Sequence, residues 1–239
     1  MAGVLLGLIG GTGSGEIGRI LAEKDIVTPY GRPSSPLQYI DVEGERIVYL
    51  RRHGVDGNIP PHRINHRANI YALKKENVPC IVSITSVGSL KKNIVPPSIL
   101  IPHDYICPWK IPTFYSEVRH VTPSIDERLR EIIIEGAKNC NLSVLEKGIY
   151  IQTLGPRLET KAEVSVMAYY ADVVGMSMAS EATLASEIGM SYANISSVDN
   201  YAHGIVDVEL RYEDIIRNAK NNWGNIVRLI REVVRLMAR

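Results

Sequence analysis

The chain reads as an α/β protein, a single domain with a mixed, mostly parallel central sheet flanked by helices. Three observations predict this. Apolar, β-branched runs recur at Val4–Ile9, Cys80–Thr85, Ser98–Ile101, Ile149–Thr153, Asp172–Met176 and Tyr192–Ser196, each of a length that suits a strand buried on both faces. Helix-like segments lie between several of them, the alternation that sets parallel strands under helices. The third is size: 239 residues with 45% hydrophobic and 22% charged side chains bury one large core across residues 1–239 without calling for a second domain.

Taken in order, Val4–Ile9 has no basic segment before it and runs into glycines instead of a cleavage site, so it is expected to be a buried strand and not a leader. Tyr39–Leu50 breaks the βα alternation: two short strands around Glu43-Gly44-Glu45 predict an antiparallel hairpin. Asn65–Lys75 sets Ile64, Ala68, Tyr71 and Ala72 at helical spacing, and Ser124 with Glu127 three residues on forms a capping-box pattern ahead of Leu129, Ile132, Ile133 and Ala137. Pro60-Pro61 and the proline-rich stretch Ile106–Pro123 are expected to be irregular, the longer one a candidate lid. From Tyr212 to Arg239 a helix carries an apolar stripe from Ile215 to Met237 suited to core or subunit contact.

Composition narrows the partners. With 27 basic and 26 acidic residues and no dense Lys/Arg tract, nothing attracts nucleic acid or an anionic membrane. No apolar run reaches the ~18 residues of a membrane span, so a cytoplasmic protein with a small-molecule ligand is expected. Cys80, Cys107 and Cys140 are odd in number and lack metal-site spacing. They are read as reduced core thiols, with no metal or cofactor implied.

Chemistry gathers at strand ends. Gly10-Gly11-Thr12-Gly13-Ser14-Gly15 follows the first strand, and such a loop brings backbone N–H groups and hydroxyls to an anion. Gly13, Gly15 and Gly18 also fit the dinucleotide pattern G-x-G-x-x-G. The acidic-tipped second strand expected ~20 residues later is replaced by Pro33-Ser34-Ser35-Pro36 and the hairpin, which argues against that reading. Arg51-Arg52-His53-Gly54 ends the hairpin's second strand with a fork of donors for an oxyanion. Thr85-Ser86-Val87-Gly88-Ser89 and Gly175-Met176-Ser177 add hydroxyls. Ligands of open α/β sheets bind beyond the carboxyl ends of strands, so Thr12, Arg52, His53, Thr85, Ser86 and Ser177 are expected to converge on one phosphate.

These motifs, with Asn65-His66-Arg67-Ala68-Asn69-Ile70 and Gly155-Pro156-Arg157, make nearly the whole chain resemble the purine nucleoside phosphorylase and methylthioadenosine phosphorylase family. The resemblance implies a nucleoside phosphorylase-like fold and a pentosyl transfer in which inorganic phosphate, as co-substrate, displaces a purine from C1′. It also implies a homotrimer, or a hexamer built as a dimer of trimers, with a neighbouring subunit lending residues to each site. Thr12, Arg52, His53, Thr85, Ser86 and Ser177 match phosphate ligands in this family. Leu158, Met176 and Ala202 fall at nucleoside-binding positions, Met176 under the ribose.

The purine is read at Ile195–Gly204 and at Glu159. In the methylthioadenosine branch the strand-end motif resembles Thr-Asp-Tyr-Asp, and a small hydroxyl residue stands at the position of Glu159. Here Asn200 replaces the first aspartate and Ala202 the second. An amide can donate to O6 while also meeting N7, and Glu159 can accept N1–H. That polarity fits a 6-oxopurine and mismatches a 6-aminopurine. A one-residue shift would make Asp199 the reader and restore adenine; the register of Tyr192-Ala193 and Tyr201 opposes it.

The expected activity is therefore phosphorolysis of inosine, guanosine or 5′-methylthioinosine, with 5′-methylthioadenosine as the alternative and a non-catalytic nucleotide sensor as the second class. The 5′ group is sought near His66, Tyr212 and Ile215, and His203 is expected to be an exposed loop residue.

Overall fold

The computed structural model describes residues 4–11, 14–207 and 211–239, with Tyr212 described for its backbone alone. One ten-stranded sheet organises them. Its strands are β1 Gly7–Gly10, β2 Arg19–Lys24, β3 Leu37–Val42, β4 Glu45–Arg51, β5 Cys80–Ser89, β6 Ser98–Leu100, β7 Asp104–Ile106, β8 Ile149–Gln152, β9 Val173–Gly175 and β10 Ser191–Tyr201. The helices are α1 His66–Lys75, α2 Glu127–Asn139, α3 Lys161–Tyr170, α4 Met178–Glu187 and α5 Tyr212–Met237. Across the sheet the order is β2-β3-β4-β1-β5-β9-β8-β7, with β10 lying along β5 and β6 against β10.

The sheet is mixed, as expected. β1 runs parallel to β4 and β5, β10 parallel to β5, and β8 parallel to both β7 and β9. Two strands expected in the parallel set have antiparallel neighbours: β6 against β10, and β9 against the end of β5, where Gly88 pairs with Val174. β5 is the pivot. Its first half lies between β1 and β10, and its last residues bend across to β9, so Thr85 to Gly88 sit where three strands meet.

The predicted hairpin is β3–β4, closed by Glu43 and Gly44, both at positive φ (56° and 87°). That is the two-residue turn whose twist suits paired strands. β2 was not legible in the sequence, because all six of its residues are exposed; it is held by its backbone ladder to β3 and by polar side-chain contacts such as Lys24 with Glu76. The capping pattern at Ser124 is corrected by two residues. Asp126 caps α2, its carboxylate accepting from Leu129 N, with Glu127 the first helical residue. Pro61–Arg63 forms a short 3₁₀ turn within the stretch read as irregular.

α5 supplies core and not a free face: Ile226, Leu229, Ile230, Val233 and Val234 are at most 1% exposed, and the helix packs on α2 and β10. Each such aliphatic side chain contributes ~1.5–3 kcal/mol relative to exposure. A smaller cluster of Ile151, Val164, Met167, Ala171, Val174 and Ala202 lies where α3 covers the β8–β9 edge. All three cysteines are free, but only Cys80 is buried, so the reading of core thiols holds for that one alone. Among the described residues no helix is long and apolar enough to cross a membrane, and no cluster of His, Cys, Asp or Glu is arranged to hold a metal.

Candidate active site

A cavity of about 810 Å³ opens at the carboxyl ends of β1, β4, β5 and β10, within the size range of small-molecule sites. Arg52, His53, Thr85, Ser86, Leu158, Glu159, Met176, Ser177, Asn200 and Ala202 all line it. Thr12, singled out with them in the sequence, lies outside the described residues.

Arg52 organises one end of the cavity. Its guanidinium is 1% exposed, with Nε 2.5 Å and Nη2 3.0 Å from the two carboxylate oxygens of Glu181, while Nη1 donates to the Ile84 carbonyl at 2.7 Å. Three of the five guanidinium N–H groups are thus committed, and two remain for an anion in the cavity. Burial pushes Glu181 up, but Arg52 outweighs it and holds the carboxyl below its ordinary range. Burial likewise pulls Arg52 down, and Glu181 reverses that and keeps it charged. Glu181 also accepts from Tyr192 at 2.9 Å, and beyond Tyr192 the buried Ser83, Asn194 and Thr85 extend the polar chain back to the cavity wall.

The glycine loop makes room for this arrangement. A Cβ on Gly11 would stand 2.6 Å from both Arg52 Nη1 and the Ile84 carbonyl. Gly11→Ala is therefore expected to displace the guanidinium and raise the phosphate KM at least about tenfold, with a smaller change in nucleoside KM, in initial-rate measurements with each substrate varied in turn.

His53 places Nδ1 2.8 Å from the Ile59 carbonyl. A carbonyl only accepts, so Nδ1 carries the proton and Nε2 of the neutral ring is an acceptor. Burial, helped by the neighbouring Arg52 charge, lowers the ring's pKa below its usual value and favours that neutral form. Ser177 sits directly before α4 without making a side-chain cap bond, which leaves its hydroxyl uncommitted at the cavity wall beside the positive end of the helix dipole.

At the other end Glu159 is 9% exposed, and its Oε1 accepts from Thr153 Oγ1 at 2.6 Å. Asn200 is fixed by donating Nδ2–H to the Tyr201 carbonyl at 2.9 Å, which leaves its second N–H and its Oδ1 for a ligand. A bulge sets Asp199 and Asn200 apart. β10 pairs Val198 with Val87 and Asn200 with Gly88, and Asp199 is the extra residue between them. Asp199 is fully buried and turns its carboxyl to Ser197 Oγ at 2.6 Å, while Asn200 lines the cavity.

Several sequence expectations are corrected. His66 is absent from the cavity wall. It is buried 3.9 Å from Glu181 Oε1, and burial, only partly offset by Glu181, pushes its pKa down to about 4. Ile215 does line the cavity, and so does Ile216, which the sequence reading passed over; the side chain of Tyr212 is outside the described residues. The proposed lid does not cover the cavity of its own chain, since none of residues 107–123 lines it. Thr113 Oγ1 and Phe114 N instead bond the Glu187 carboxylate at 2.6 Å each, and Phe114 packs on Tyr30 and Tyr71. His203 is exposed, as expected.

A sequence model described as the Phosphorylase superfamily matches residues 5–235. The chain belongs to the phosphorylase superfamily. Within it, a probable 6-oxopurine nucleoside phosphorylase of Archaeoglobus fulgidus is 43% identical over 235 residues, covering 97% of this chain and 96% of the relative. A probable S-methyl-5′-thioinosine phosphorylase of Methanocaldococcus jannaschii is 40% identical, over 96% of this chain and 92% of the relative. Among solved structures, methylthioadenosine phosphorylase from Schistosoma mansoni in complex with adenine superposes with a TM-score of 0.90 at 26% identity, over 98% of this chain and 92% of that one.

The sequence reading of this phosphorylase missed Glu181, which pairs with Arg52, Tyr192, which donates to Glu181, and Thr153, which donates to Glu159. For Glu181 a signal exists: it is the single charge among the small and apolar residues Met178–Ala185, four positions after Ser177. Thr153 carries none, because its contact with Glu159 depends on the turn at Gly155-Pro156.

Proposed function

We propose that this phosphorylase cleaves 6-oxopurine nucleosides, with inorganic phosphate as co-substrate and no metal or cofactor, to free purine and a pentose 1-phosphate. The observation that carries this reading is the pairing in one cavity of an amide, Asn200, and a buried carboxylate, Glu159. A 6-oxopurine offers an acceptor at O6 and a donor at N1–H, which meet an amide N–H and a carboxylate; a 6-aminopurine offers the reverse.

In this reading phosphate is held by the two free N–H groups of Arg52 together with Thr12, Thr85, Ser86 and Ser177, and His53 Nε2 accepts its remaining P–OH. A C1′–O bond to phosphate forms as C1′–N9 breaks, and the electron pair passes into the purine. The free N–H of Asn200 then stabilises the charge developing at O6, an interaction stronger in the transition state than with bound nucleoside. Met176 packs under the ribose. Ile215 and Ile216 give the cavity apolar wall beside α5, an observation that favours 5′-methylthioinosine beside inosine and guanosine. The reading includes a cytoplasmic homo-oligomer serving purine salvage; exposed Leu154 and Leu158 offer apolar surface next to the cavity for a second subunit to cover.

A panel of inosine, guanosine, adenosine, methylthioinosine and methylthioadenosine, each with and without phosphate, tests it through release of free base. Phosphate-dependent release of hypoxanthine or guanine is expected. Calorimetric ligand binding without turnover on any nucleoside supports the sensor reading instead. Within the site, Thr153→Val removes the donor that fixes Glu159 and is expected to lower kcat/KM for inosine about tenfold, the effect of one hydrogen bond to a charged group. Steady-state kinetics beside a melting curve within a few degrees of the wild type is the check.

A further inference from the structure

Asp199 is a carboxylic acid sealed behind the anion end of the cavity. It is fully buried and occupies the bulge of β10. One oxygen, Oδ1, accepts from Ser197 Oγ at 2.6 Å and lies 3.4 Å from Asn222 Nδ2 on α5, and its backbone carbonyl accepts from Asn218 of α5 at 2.7 Å. The other, Oδ2, is buried without a hydrogen-bond partner among the described residues. Ser86 of β5 lines the cavity and pairs across the ladder with Ser197, two residues before Asp199; it is also among the groups that hold the acid's pKa down. Burial is the largest influence on the acid. The others are neutral side chains, Ser197 of β10, Ser86 of β5 and Asn222 of α5; among the described residues no charged group from these elements is a cause. Together they leave the acid raised to about 6.

A buried carboxylate with an orphaned oxygen is costly unless it gains a proton or a donor. Ser86 has one hydrogen and can offer it in one direction only.

We propose that Asp199 is a positioning residue for phosphate: carrying a proton on Oδ2, it donates to Ser86 Oγ and turns the Ser86 hydrogen toward the anion; ionised, it draws that hydrogen to itself and presents lone pairs to the anion. The proposal rests on the reading of the cavity as a phosphate and nucleoside site. Phosphate binding then favours the protonated acid, and phosphate affinity falls as Asp199 ionises.

Asn at this position reproduces the protonated form, since its amide can donate to Ser86 at every pH. The test compares Asp199→Asn with the wild type, side by side from pH 5 to 8.5. Calorimetry with inorganic phosphate alone gives Kd, and kinetics gives phosphate KM, nucleoside KM and kcat. Taking the ratio of wild type to variant at each pH removes the ionisation of phosphate and of His53, which are common to both. The ratio of phosphate Kd values is expected to rise from about one at pH 5 to about ten at pH 8, with its midpoint near 6, while kcat and nucleoside KM stay within twofold. Ser86→Ala is expected to flatten the wild-type profile. Stability supplies an independent check: a raised carboxyl stabilises the fold fully below its unfolded pKa, and that contribution is lost as pH rises through about 6. The Asn variant escapes the loss, so its advantage in melting temperature over the wild type is expected to grow as pH rises from about 4 to about 6 and to level off above that. A ratio that does not change with pH, or a change confined to nucleoside KM, overturns the proposal. Phosphate that binds neither protein overturns instead the functional reading on which it rests.

Discussion

Arg52→Ala is expected to destabilise the protein by about 3–5 kcal/mol and to raise the phosphate KM a hundredfold or more. The stability loss does not come from the missing guanidinium itself. It comes from Glu181, left fully buried with its charge uncompensated, and breaking a buried pair from one side carries that cost. The loss of phosphate affinity has a separate origin in the two N–H groups that Glu181 and Ile84 leave uncommitted, each charge-assisted bond contributing about 1.5–3 kcal/mol. The two effects separate in a second variant. With Arg52→Ala and Glu181→Ala combined, no unpaired charge stays buried, so much of the stability returns while phosphate KM remains high. Thermal melting and phosphate-dependent kinetics on the wild type and both variants are the measurement. A folded Arg52→Ala protein with wild-type phosphate KM contradicts the anion assignment.

Asn200→Asp is expected to turn the base preference. Aspartate only accepts, so it loses the bond to O6 and gains one from a 6-amino group. The change is incomplete alone, because Glu159 still faces N1, which in adenine is a bare acceptor. The single variant is expected to shift the inosine to adenosine ratio of kcat/KM by about a hundredfold. Adding Glu159→Gln, whose amide can donate to N1, is expected to carry the shift toward ~10⁴, the scale reached when buried polar groups are left unpaired by the wrong substrate. Equal losses on both nucleosides, with the ratio unchanged, remove Asn200 from the role of reader.

The parts of the fold that burial dictates were legible in the sequence. β5, β8 and β10 are apolar runs because both faces of each are covered, and the Glu43-Gly44 turn is written in its residue types. β2 was not, since an edge strand with every side chain in solvent has no pattern to show. The end of β10 was underestimated for a related reason: Ser197, Asp199 and Asn200 look like a loop, yet the bulge keeps them in the sheet and α5's Asn218 and Asn222 bond the Asp199 carbonyl and the Ser197 hydroxyl. In the site, residues that face the cavity carried motif signals and those supporting them did not. Arg52 is visible beside His53 and Gly54, whereas its partner Glu181 lies 129 positions away and is assigned to it only by the packing of α4. The supporting residues set where the visible ones point.

The central claim is that Asn200 and Glu159 select an oxygen at C6. It is tested most directly by kcat/KM of the wild-type enzyme for inosine and adenosine, and for methylthioinosine and methylthioadenosine, at saturating phosphate. Members of each pair differ in the hydrogen-bond polarity of the purine edge and in nothing at the 5′ end. The account predicts the 6-oxo member favoured by about 10³-fold or more in both pairs. Equal rates, or a preference for the 6-amino member in either pair, contradict it.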